Sequence, residues 1–120
     1  MVHVLVVDDD ASNRLTLSAL VEEEGFDVKS AESLAAARKT LAETKPPFDL
    51  ALVDVHLGDG LGTDLIAELH ASGAKVIMVS GTAEMGDAVT HADAAIAKGG
   101  AIDDLFALMK RVLRRSETPH

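Results

Sequence analysis

A chain of 120 residues with 48% hydrophobic content and a formal charge of −9 suits one domain that buries about two thirds of its unfolded surface. Its apolar share excludes disorder, and its acidity disfavours binding to a nucleic-acid backbone. The only aromatics are Phe26, Phe48 and Phe106, which argues against base-stacking platforms. With no Cys there is no disulfide framework, thiol nucleophile or Cys-based zinc site. No apolar run reaches the roughly 20 residues of a membrane span. The start, "MVHVLVVDDD", has no basic segment before its short apolar run and reads as a strand, not a leader. A cytoplasmic protein with no membrane contact is expected.

Along the chain, aliphatic stretches of strand length alternate with helical patterns. "VHVLVV" (2–7) is continuously apolar, as in a strand buried on both faces. Leu17, Leu20 and Val21 then mark a helix ending near Glu24 with Gly25 at its cap. "FDVKS" (26–30) is a short alternating strand. Leu34, Ala37 and Leu41 mark a second helix, stopped by "KPP" (45–47), since Pro cannot continue it. "FDLALVDV" (48–55) is the second strong strand and "GDGLG" (58–62) a loop. Leu65, Ile66 and Leu69 predict a third helix closed by Gly73. "AKVIMVS" (74–80) is another aliphatic strand, 83–92 a poor helix, and "AAIAK" (94–98) a weak last strand. Ile102, Leu105, Met109 and Val112 predict a terminal helix whose last turns hold Lys110, Arg111, Arg114 and Arg115, complementing the helix dipole. Five βα units predict a doubly wound α/β fold with a parallel sheet covered on both faces and right-handed crossovers.

In such sheets ligands bind beyond the carboxyl ends of the strands, where the strand order reverses. Asp8, Asp9 and Asp10 follow the first strand, Asp54 lies at the end of the third, Ser80 ends the fourth and Lys98 the fifth. Carboxylates crowded at one edge either raise their pKa values or hold a hard divalent cation, and Mg²⁺ takes oxygen ligands. A carboxylate is also a nucleophile toward a phosphoryl group, whose charge a metal, an ammonium and a hydroxyl would neutralise. The five His (3, 56, 70, 91 and 120) show no metal-ligand spacing. His3 and His70 read as structural or surface residues.

On "VLVVDDD", "FDLALVDVHLGDG", "VIMVSGT" and "AAIAK", in that order and on suitable elements, essentially the whole chain resembles the receiver domains of two-component response regulators. The resemblance implies a flavodoxin-like (βα)₅ fold with strand order 2-1-3-4-5, a receiver over 1–116 and a tail over 117–120. It implies phosphorylation of Asp54 by a partner's phosphohistidine. Mg²⁺ would be held by Asp8, Asp9, Asp54 and the main-chain carbonyl of His56. Ser80 and Lys98 would bind the phosphoryl group and couple it to rearrangement. Asp10 matches no required position and is expected to start the first helix. The implied partners are a histidine kinase or phosphotransfer protein docking on the first helix, and a downstream protein or fused output domain. The chain would be a monomer or a phosphorylation-dependent dimer. The resemblance implies at most catalysis of its own phosphorylation and dephosphorylation, in a chain that would stand alone, act within a relay or belong to a longer protein.

Several positions depart from the family. Ala95 replaces the aromatic switch residue, Gly99 follows Lys98 where Pro is usual, and the loop after Asp54 reads "LGDGLG" after a bulky His56 ring. That ring lies where side chains influence hydrolysis of the acyl phosphate. Three other readings fit parts of the chain. A pseudo-receiver would keep the fold as a binding module without the chemistry. A haloacid-dehalogenase-type phosphatase would use Asp8 as nucleophile and Asp10 as acid, with Ser80, Lys98 and Asp103–Asp104 in later motifs. A flavin-binding domain of similar architecture lacks a phosphate loop, since "DDDASNR" would repel the ligand.

Overall fold

Four residues in a row with no polar atom in their side chains, Val4–Val7, can be buried only where both faces of a sheet are covered. In the computed structural model they form most of β1 (His3–Val7). The structure describes residues 2–43, 48–80, 92–97 and 101–117, with the side chains of Ser80 and of 115–117 excepted. After β1 come α1 (Ala11–Glu23), β2 (Asp27–Ala31), α2 (Leu34–Glu43) and β3 (Leu50–Asp54). A small hairpin of β4 (His56–Leu57) and β5 (Gly60–Leu61) leads into a 3₁₀ turn (Gly62–Leu65) and α3 (Ile66–Ala71). The described chain ends with β6 (Lys75–Ser80), β7 (Ala94–Ala97) and α4 (Ile102–Glu117).

The main sheet has the order β2-β1-β3-β6-β7, and all four pairings are parallel. With the hairpin set aside this is the expected 2-1-3-4-5. Successive side chains of a strand point to opposite faces, and the central strands use this to feed two cores. Leu5, Val7, Ala51, Val53, Val76 and Met78 pack under α2 and α3 with Leu34, Ala37, Ile66 and Leu69. Val4, Val6, Leu50, Leu52 and Ile77 pack under α1 and α4 with Val21, Leu105, Met109 and Val112. The chain therefore winds helices onto both sides, and the order reverses between β1 and β3.

Several local signals act as read. Asp10 caps α1, accepting from the N–H groups of Ser12 (2.9 Å) and Asn13 (3.3 Å). Gly25 (φ 99°) and Gly73 (φ 96°) follow α1 and α3 in the left-handed region that favours glycine. At the N-terminal edge of the sheet, His3 Nδ1 lies 2.7 Å from Asp27 Oδ2, and His70 Nε2 lies 2.8 Å from Asp93 Oδ2. Both histidines are thus surface pairing residues.

Other details differ from expectation. The stretch 58–62, read as a loop, contains the turn and second strand of the hairpin, with His56 opposite Leu61 and Leu57 opposite Gly60. Strands of two residues have no periodicity to detect. β2 runs one residue later than 26–30, and α4 continues to Glu117, past the boundary at 116. The poor helix at 83–92 falls almost wholly outside the described residues, as do Lys98, Gly99, His91 and His120.

Candidate functional site

The reversal point is acidic. Val7 of β1 stands opposite Val53 of β3, so the next residue on each strand, Asp8 and Asp54, emerges side by side at the carboxyl edge. They are 4% and 6% exposed, the buried charged residues of the described core. Asp9 is exposed beside them, and one carboxylate oxygen from each of the three lies within 4.8 Å of the others. Mg²⁺ sits about 2.1 Å from each oxygen ligand, so ligands on opposite sides of it stand about 4.2 Å apart. Three carboxylates gathered this closely offer an all-oxygen donor set, the kind that suits a hard cation.

Main-chain contacts fix this edge. Asp8 Oδ1 accepts the N–H of Asp10 at 2.9 Å, and the Asp8 N–H donates to Ala31 O at 3.1 Å. Arg14, one turn into α1, donates from Nη1 to the main-chain oxygen of Asp8 at 2.9 Å. Sequence reasoning missed Arg14, because a main-chain acceptor leaves no residue signature. Ser80 ends β6, one residue beyond the partner of Asp54 and opposite Ala97. His56 is exposed at the start of the hairpin, two residues after Asp54. Lys98, the remaining expected site residue, lies outside the described residues. Beside Asp8 a cleft of about 320 Å³ opens between α1 and α4, walled by Ser12, Asn13 and Thr16 on one side and Ile96, Ile102 and Leu105 on the other.

A second missed residue is Asp59, in the hairpin turn. Its carboxylate accepts the N–H of Leu34 (Oδ1, 2.9 Å) and of Ala35 (Oδ2, 3.1 Å), two of the donors that every helix start leaves without a partner. Ser33 Oγ takes a third, from Ala36, at 3.0 Å. The Leu34 N–H, then the Ala35 N–H, with a smaller contribution from the Arg38 charge, hold the Asp59 carboxyl below the usual 3.8. A carboxyl lowered in the folded state stabilises the fold fully above its unfolded value, and loses that effect as pH falls through the lowered value. The stability difference between wild type and Asp59→Asn is therefore expected to be constant above about pH 5 and to vanish on acidification below the lowered value. Urea unfolding across a pH series checks this; a difference that persists at the acid end would disprove it.

The family model described as the response regulator receiver domain matches residues 4–110. This chain belongs to that family. The receiver is 33% identical to the acid tolerance regulatory protein ActR of Sinorhizobium medicae, over 97% of this chain and 62% of that protein. It is likewise 33% identical to the KDP operon transcriptional regulatory protein KdpE of Escherichia coli, over 96% of this chain and 52% of that one. The receiver thus spans about half to three fifths of the length of these curated relatives. Among solved structures, a CheY-like receiver domain protein from Methanospirillum hungatei is similar with a TM-score of 0.87 and 32% identity, over 98% and 97% of the two chains. The Thermotoga maritima response regulator TrrA, solved in complex with Mg(2+)-BeF, gives a TM-score of 0.83 and 26% identity, over 93% of this chain and 99% of that one. Two features separate the receiver from the phosphatase reading: Asp10 is engaged as a helix cap, and Asp103 and Asp104 lie in the first turn of α4, where carboxylates suit the dipole. Among the described residues no helix is long and apolar enough to cross a membrane.

Proposed function

We propose that this receiver accepts a phosphoryl group on Asp54 from a phosphohistidine of a partner, with Mg²⁺ held by Asp8, Asp9, Asp54 and the His56 main-chain carbonyl. The observation that carries the reading is the pairing of two carboxylates, 4% and 6% exposed, with a third at the point of strand reversal. An all-oxygen donor set at this edge suits a hard divalent cation. The complex named for TrrA with Mg(2+)-BeF is consistent with it.

In this reading Asp54 is the nucleophile. One of its carboxylate oxygens attacks phosphorus and forms the O–P bond as the P–N bond to the partner's imidazole breaks. The electron pair stays on the imidazole nitrogen, which takes a proton from solvent. Bound Mg²⁺ would neutralise the charge on the phosphoryl oxygens. Asp8 and Asp9 hold position beside the nucleophile, Asp8 oriented by the Asp10 N–H and by Arg14. Ser80 donates its hydroxyl to a phosphoryl oxygen and Lys98 pairs with the phosphate charge. The exposed His56 ring tunes access of water to the acyl phosphate.

The output differs from the family's usual one. Ala95 is a half-buried methyl against the core under α2 and α3, so no aromatic ring swings when Ser80 moves, and Gly99 stands where the family usually has Pro. The partners are a histidine kinase or phosphotransfer protein and a downstream protein or fused output domain. Leu15, 65% exposed on α1, favours docking of the phosphodonor on that helix. The receiver acts in the cytoplasm, as a monomer or a phosphorylation-dependent dimer, and its only catalysis is of its own phosphorylation and dephosphorylation.

Incubation with a small acyl-phosphate donor and Mg²⁺, followed by intact-mass spectrometry, tests this. A phosphoryl adduct is expected on wild type, absent from Asp54→Asn, and recovered in Asp8→Asn only at higher Mg²⁺. An adduct that survives in Asp54→Asn moves the chemistry to Asp8 and the phosphatase reading. No adduct and no Mg²⁺ binding leaves a pseudo-receiver.

A further inference from the structure

Six residues around the acidic edge are linked in a ring by hydrogen bonds, chain connectivity and strand neighbours. The Asp8 N–H donates to Ala31 O, the last residue of β2. Three residues on, Leu34 and Ala35 donate to the Asp59 carboxylate. Asp59 forms the tip of the hairpin whose first residue is His56, and the base of that hairpin is closed by the Gly62 N–H on Val55 O at 2.7 Å. Val55 directly follows Asp54, which stands beside Asp8. The ring thus runs Asp8, Ala31, Leu34, Asp59, His56, Asp54, with the Asp59 side chain as one of its links. The hairpin tip also meets α2 through side chains: a Cβ on Gly60 would stand 2.6 Å from Leu34 Cδ1, so the buried Leu34 lies against that glycine.

We propose that Asp59 is a positioning residue for the metal site, fastening the hairpin to the start of α2 and so holding the His56 carbonyl where the cation needs it. The inference rests on the Mg²⁺ reading above. Groups behind metal ligands govern affinity because an octahedral ion tolerates little displacement of its oxygens. His56 is carried on two-residue strands, which are too short to fix a ligand by their own pairing. The base of the hairpin is held by the Val55 N–H on Val79 O and the Gly62 N–H on Val55 O, and Asp59 adds an anchor at the tip with two hydrogen bonds made by a charged acceptor.

A merely structural role for Asp59, capping α2, makes a different prediction, and Ser33 separates the two. Ser33 caps the same helix start through Ala36 without touching the hairpin. The experiment is Mg²⁺ titration by calorimetry, with initial rates of Asp54 adduct formation against Mg²⁺ concentration, on wild type, Asp59→Ala, Asp59→Asn and Ser33→Ala. Melting temperatures are taken alongside, and all variants are assayed where circular dichroism shows them folded. Asp59→Ala is expected to raise the Mg²⁺ dissociation constant about tenfold or more and to recover its rate at saturating Mg²⁺. Ser33→Ala is expected to melt earlier with wild-type Mg²⁺ affinity. Asp59→Asn, able to accept only through one oxygen, keeps the fold if the alanine variant does not, and is expected to fall between. An Asp59 variant that melts earlier yet binds Mg²⁺ as wild type does would overturn the positioning role while leaving the phosphoacceptor reading intact. Wild type that neither binds Mg²⁺ nor forms the Asp54 adduct would overturn both.

Discussion

Gly62→Ala is expected to cost the domain about 3 kcal/mol or more, a large part of the 5–15 kcal/mol that usually holds a domain together. A Cβ on residue 62 would overlap the main-chain oxygen of Asp54 and stand 2.7 Å from Val53 Cγ1. Neither neighbour has room to yield. Val53 is fully buried in the central strand, and Asp54 is held in register with Val79. The Gly62 N–H is itself tied to Val55 O at 2.7 Å, so the hairpin would have to open for residue 62 to retreat. Gly58 provides the control, because a Cβ there meets nothing within 4 Å. Urea unfolding of the two variants should show a large loss for Gly62→Ala and little for Gly58→Ala. Similar midpoints would mean that the hairpin repacks freely around its base. Since the obstructing atom belongs to Asp54, a tolerated substitution should, on the proposed function, also slow formation of the Asp54 adduct.

Magnesium is expected to stabilise the wild-type fold by about 2.7 kcal/mol at a hundred times its dissociation constant, the amount any ligand specific for the folded state contributes at that ratio. For a domain of this size the melting temperature should rise by about 10 °C, and a chelator should reverse the shift. Asp8→Asn is expected to abolish most of it at the same Mg²⁺ concentration. The substitution keeps the side chain's shape and an oxygen for the Asp10 N–H, but removes the negative charge that would attract a cation at this 4%-exposed position. Thermal melts by circular dichroism, with and without Mg²⁺, decide the matter. If Asp8→Asn responds as fully as wild type, the cation binds somewhere other than the acidic edge.

Much of the fold was legible because the strongest signals are local. β1, β3 and β6 are continuous aliphatic runs, and the alternation with helices implied the parallel sheet, while the strand order and its reversal point followed from the resemblance to receiver domains. Asp10 caps N–H groups two and three residues away, so its role followed from its neighbours in the chain. Asp59 does the same work on donors 24 and 25 residues upstream, and nothing within "LGDGLG" records that they meet. Gly62 belongs to the same stretch. There glycine signalled a loop, whereas the fold uses its missing side chain to bring two backbones together. Arg14 reaches a carbonyl, an acceptor every residue carries. The weak edge strand β2, with three of its five residues exposed, had little pattern to fix its ends and moved by one residue.

The burial of β1 on both faces has a further consequence. A strand with one wet face cannot slide by a single residue without turning its apolar side chains outward. Val4–Val7 pay no such penalty, because either face receives an aliphatic group with equal ease. What stops the strand from sliding must lie at its ends. At one end the His3 N–H donates to Asp49 Oδ2 at 2.9 Å and His3 O accepts the Asp49 N–H at 2.8 Å. At the other end a one-residue slip would drag Asp8 into an aliphatic interior, at the cost of burying a carboxylate among methyl groups. The acidic residue at the end of β1 thereby acts as a brake on strand slippage, and the chain is locked in place by the residues that its interior cannot accept.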